Sequence, residues 1–83
     1  MHSPAETKRI LEAALLTASE PLNISDLKRL FEEELGAEVL KALLGELREE
    51  WSGRAVELTQ LASGWRFQTR AEFRPYIERL FPE

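Results

Sequence analysis

Around residues 51–53 the hydrophobic period of this chain changes from that of a helix to that of a strand, and no other feature restricts its fold as strongly. Upstream, Val39, Leu40, Leu43, Leu44 and Leu47 recur at offsets of one, four, five and eight, which sets them on one apolar stripe of a helix facing a core. Ser52 and Gly53 interrupt that helix. Beyond them Val56 and Leu58 alternate with Glu57 and Thr59, Ala62, Ser63 and Gly64 form a turn, and Trp65, Phe67 and Thr69 alternate with Arg66 and Gln68. Two half-buried strands joined as a hairpin are the expected result.

Two helices precede this unit. Ser3 is a candidate N-cap, Pro4 suits the first helical position and Glu6 stands where a capping box closes, so the first helix starts there. Ile10, Leu11, Ala14, Leu15 and Ala18 form its apolar stripe, and Pro21 predicts its end near Ser19. Pro21 and Leu22 make a short extended connection that has room for a minimal third strand beside the hairpin. Asn23 with Asp26 opens a second helix whose stripe is Ile24, Leu27, Leu30 and Phe31. Glu32, Glu33 and Glu34 are read at its C-terminal end, as a solvated face rather than a metal site or a contact for a basic partner. Gly36 is read as a left-handed C-cap. Three helices followed by an antiparallel hairpin define the expected fold class: mainly α with a small β-hairpin, a winged helix-turn-helix, as a single domain over residues 1–83.

A domain of 83 residues must do with a small core, and with no cysteine that core has no covalent or thiolate support. The single histidine, His2, reads as a frayed terminus or vector remnant and is given no role. Nothing resembles a glycine-rich phosphate loop, a nucleophile with its base, or a spaced ligand set, so no enzyme, cofactor or metal site is expected. No apolar run is long enough to cross a membrane.

The net charge of −4 is unevenly divided. Residues 1–51 carry six basic and eleven acidic side chains, whereas residues 52–83 carry five arginines and four glutamates. Outside its stripe the third helix offers Glu38, Lys41, Gly45, Glu46, Arg48, Glu49 and Glu50, with no Asn, Gln, Ser or Thr for base edges. A recognition helix of that sign is repelled by phosphates, so sequence-specific nucleic-acid binding is not expected. Arg54, Arg66 and Arg70 are the candidates for backbone phosphate contact in the alternative reading, a DNA-binding transcription regulator, although a solubilised sheet face accounts for them as well. Gly45 in mid-helix signals close approach of another backbone, in the core or on a partner.

Thr69-Arg70-Ala71-Glu72 reads as a capping box for a last helix with Phe73, Tyr76, Ile77, Leu80 and Phe81 on one stripe. Pro75 is expected to kink that helix or split it around Arg74. So many large apolar residues exceed what a small core needs and point to a surface covered by another domain, another copy or a partner. The candidate protein-interaction residues are Trp51, Leu61, Tyr76, Leu80 and Phe81. Trp51 is open to two readings, closing the core or standing at its rim.

Ile10-Leu11-Glu12-Ala13-Ala14-Leu15-Leu16, Ser19-Glu20-Pro21-Leu22, Gly64-Trp65-Arg66-Phe67-Gln68-Thr69-Arg70 and Glu72-Phe73-Arg74-Pro75-Tyr76 together resemble the N-terminal domain of the segregation and condensation protein B family. The resemblance covers nearly the whole chain. It implies a non-enzymatic cytoplasmic, nucleoid-associated subunit of the bacterial SMC complex, acting in chromosome condensation and segregation. It also implies a homodimer that binds the kleisin, segregation and condensation protein A, and through it SMC. The family pattern is two tandem winged helices, so this chain is expected to be the first of them. No catalytic or ligand residue carries over from the resemblance.

Overall fold

Leu11 of the first helix, Leu27 of the second, Leu40, Leu44 and Leu47 of the third and Leu58 of the hairpin meet as one fully buried cluster in a computed structural model, which describes residues 3–81. Each buried leucine contributes about 2 kcal/mol by removing apolar surface from water. His2 lies outside the described residues.

Helix α1 spans Pro4–Thr17, with the Ser3 hydroxyl accepting from the Glu6 amide at 3.1 Å and proline in the first turn. Leu11 and Leu15 point inward. The helix ends two residues before the expected Ser19, because Ala18 already takes the extended backbone that leads into Pro21 and Leu22. There the third strand forms as a single bridge: the Leu22 amide donates to the Trp65 carbonyl at 2.9 Å and the Trp65 amide returns to Leu22 at 2.7 Å. Gly64 allows that approach. Its φ is +141°, and a Cβ there would lie 2.5 Å from the Leu22 carbonyl carbon.

Helix α2, Ile24–Leu30, opens on the full Asn23–Asp26 capping box, with bonds of 2.8 and 3.0 Å. Its end differs from the sequence expectation. The Glu33 amide reaches the Lys28 carbonyl and the Glu32 amide reaches Arg29, the paired closure of a Schellman turn. The left-handed residues are Glu32 (φ 53°) and Glu33 (φ 64°), not Gly36, which at φ −79° is the N-cap of the next helix. The glutamates therefore form a turn beyond the helix. Leu30, expected in the core, is exposed at the last helical position, while Phe31, expected on the same stripe, is buried.

Helix α3, Ala37–Glu50, buries Leu40, Leu43, Leu44 and Leu47. Val39 was expected on the same stripe, yet it is exposed at its edge. A Cβ on Gly45 would meet nothing within 4 Å, so core crowding is not the reason for this glycine. Gly53, at φ +82°, turns the chain into strand β1, Val56–Leu61, which pairs antiparallel with β2, Gly64–Thr69. The register sets Val56 opposite Thr69 and Leu58 opposite Phe67, so Leu58, Trp65 and Phe67 share the core face. Glu57, Thr59, Leu61, Arg66 and Gln68 share the outer face.

Thr69 does not cap the final segment, because its backbone completes the ladder opposite Val56. A 3-10 turn over Ala71–Phe73 leads instead into α4, Arg74–Leu80, with Pro75 in the first turn, where its missing amide leaves no bond unmade. The expected split at Arg74 is present. This arm packs chiefly against its own leading turn and buries no residue.

Candidate protein-interaction surfaces

The helix that a winged-helix DNA reader presents to the major groove is here tied to its neighbour. Lys8 of α1 contacts Glu46 at 3.0 Å and also Glu50, and Arg9 contacts Glu50 and Glu12. The lysine and arginine hold the Glu50 carboxyl below its ordinary range, and Glu50 and Glu46 raise Lys8 in return. Two of the four carboxylates read from the sequence as a free acidic face are thus neutralised within the fold. The rest of that face balances Glu38 and Glu49 against Lys41 and Arg48, so no net positive charge remains for phosphates.

Two of the three wing arginines are committed elsewhere. Arg70 donates to the carbonyls of Arg54 and Trp51, the latter at 3.1 Å, and its guanidinium reaches Glu57 at 3.4 Å. Its own amide donates to Ala55. It is a clasp between the end of α3 and the end of β2. Arg54 lies over the Trp51 ring at 4.8 Å. Arg66 is exposed, with no ion pair among the described residues.

Trp51, at the C-cap of α3, stands at the rim of the core. Its indole nitrogen donates to Glu12 at 2.7 Å, and its ring centroid lies 4.7 Å from that of Phe67. Leu61 is 39% exposed at the hairpin tip. On the arm Tyr76, Leu80 and Phe81 are 65, 68 and 69% exposed, a contiguous apolar surface with Phe73 and Ile77 also partly open. The structure therefore brings Tyr76, Leu80 and Phe81 together and places Trp51 apart from them, with one edge already occupied.

Between the outer face of β2 and the arm lies an open recess of about 500 Å³, lined by Arg66, Gln68, Thr69, Arg74, Ile77 and Glu78. Sequence reasoning did not find it. The sequence shows that the chain breaks at Arg74 but not the direction in which α4 then runs. Among the described residues no group of three or more His, Cys, Asp or Glu is placed to hold a metal ion, and no helix is long and apolar enough to cross a membrane.

These features define a winged-helix domain whose most exposed large apolar side chains sit on a projecting arm, with its helix-turn-helix face neutralised. Residues 9–83 match the family model described as segregation and condensation complex subunit ScpB, and the chain belongs to that family. It is 41% identical over 81 residues to the segregation and condensation protein B homolog of Coxiella burnetii, covering 95% of this chain and 39% of that protein. With segregation and condensation protein B of Desulforamulus reducens it shares 42% identity over 78 residues, 92% of this chain and 42% of the relative. The chain thus spans about two fifths of the length of these relatives. Among solved structures, ScpB from Mycobacterium tuberculosis superposes with a TM-score of 0.85 at 34% identity, over 98% of this chain and 51% of that one. A dimer of an ScpB N-terminal domain complexed with a ScpA peptide superposes with a TM-score of 0.81 at 27% identity, over 100% of this chain and 97% of that one.

Proposed function

We propose that this chain is the dimeric, non-enzymatic N-terminal winged-helix domain of an SMC-complex subunit, which pairs with a second copy and holds a segment of the kleisin, segregation and condensation protein A. The uncovered arm carries this reading. Tyr76, Leu80 and Phe81 are each more than three fifths exposed on a short helix that packs on little else, and a covered apolar surface is what such a segment requires. The related domain crystallised as a dimer with a ScpA peptide supports both partners, because it matches the whole of this chain. In this role the domain works in the cytoplasm on chromosome condensation and segregation. It is the first of two tandem winged helices, and its action is mechanical: a rigid body offering grooves to an extended or helical segment.

Leu61, Tyr76, Leu80 and Phe81 are assigned to partner contacts, with Trp51 as a separate rim residue of the core. The second reading, a DNA-binding regulator, has the fold in its favour but little charge to act with, because Arg54 and Arg70 are engaged within the fold. Calorimetric titration of the chain with the central segment of a ScpA protein separates the two. Saturable binding of that segment, with no binding of duplex DNA at low salt, is expected. Duplex binding with a steep salt dependence and no response to the ScpA segment would overturn the assignment.

A further inference from the structure

The recess between wing and arm has a chemistry unlike the rest of this acidic chain. Its lining carries Arg66 and Arg74 against the single carboxylate of Glu78, in a molecule of net charge −4. Arg66 has no ion pair among the described residues, and the one bond drawn by Arg74, to the Thr69 carbonyl, is long at 3.4 Å. Ile77, 43% exposed, supplies an apolar wall between them. Helical spacing puts Arg74 and Glu78 on the side of α4 that faces the wing and Tyr76 and Leu80 on the side away from it, with Ile77 between the two sets. A second copy covering Tyr76 and Leu80 therefore leaves Arg74 and Glu78 of the recess uncovered.

We propose that this recess binds an acidic segment of a partner polypeptide, with two carboxylates held by Arg66 and Arg74 and an apolar side chain seated on Ile77. Charge complementarity selects this occupant: guanidinium groups take carboxylates in charge-assisted, geometrically matched bonds. A nucleic-acid strand fits less well, because it needs a row of cations, whereas Glu78 stands on one wall and Glu57 shares the outer face of the sheet. The proposal rests on the reading above only for the identity of the polypeptide, a ScpA segment.

The test is an NMR titration of the chain that follows the Arg66 and Arg74 side-chain Nε–H signals. The probes are a synthetic peptide with a leucine flanked by aspartates and glutamates, its lysine-flanked counterpart, a duplex oligonucleotide and the ScpA segment. Saturable shifts at both arginines with the acidic peptide alone of the two synthetic ones are expected. Arg66→Glu should weaken that binding about tenfold or more, while Lys41→Glu on the far helix leaves it unchanged. No saturable shift, equal shifts with both peptides, or displacement of the acidic peptide by the duplex would overturn the proposal. A ScpA segment that binds without moving either arginine removes this cleft and leaves the proposed function standing. An acidic peptide that binds here when the ScpA segment does not bind at all keeps the cleft and removes that function.

Discussion

Gly64 shows how much one residue decides in a domain this small. Its φ is positive, where side chains are disfavoured, and a methyl group there would collide with the Leu22 carbonyl at about 2.5 Å, in the bridge that fastens the segment between α1 and α2 to the wing. Gly64→Ala is expected to destabilise the fold by about 2–4 kcal/mol in urea unfolding with an unchanged slope, and a loss below about 0.5 kcal/mol would contradict this account of the bridge. The glycine was legible in the sequence as a turn residue, and the bridge as a possible third strand, but the collision joining them was not, since it depends on two segments more than forty residues apart. Arg70 is a similar case. From sequence it is a surface cation beside a hairpin, and only the fold reveals that backbone carbonyls engage it.

At the scale of elements, helices α1 to α4 and both strands follow from periodicity, and the starts of α1 and α2 from capping, whereas the ends of α2 and of the wing do not. A glycine at position 36 is the natural candidate for a left-handed cap, yet the helix closes earlier because Phe31 must turn into the core, and that choice forces Glu32 and Glu33 into the left-handed region. Glu32→Gly should accordingly stabilise the domain by about 1 kcal/mol, read as a higher urea midpoint; a lower midpoint would count against the strain argument. The acid response belongs to the elements as well. Asp26 is held below its ordinary range first by the Asn23 amide and then by Arg29, and Glu50 first by Lys8 and then by Arg9. Both are lowered in the folded state, so their contribution is complete above the ordinary carboxylate range and is lost as pH falls through their folded values. Lys8 is raised, so its share is complete below its ordinary range and is lost on the alkaline side. The urea midpoint should be flat near neutrality and fall toward pH 3, with Glu50→Gln flattening part of that fall. An unchanged midpoint at pH 3 would refute the coupling between α1 and α3.

The whole molecule is longer than its chain length requires. Its radius of gyration is 13.8 Å and its extents are 43 × 24 × 19 Å, where a compact domain of this size has a radius of about 12 Å. The excess fits an apolar arm left without intramolecular cover. Composition alone pointed to surplus apolar side chains at the end of the chain, but which of them share a surface depends on the break at Arg74. The central claim is that another copy covers this arm. Sedimentation equilibrium of the chain and of Leu80→Glu, from low to high micromolar concentration, tests it most directly. The account predicts twice the 9.6 kDa chain mass for the parent and a folded monomer for the variant. A parent that stays monomeric across the whole range, or a variant that dimerises as well as the parent, would contradict it.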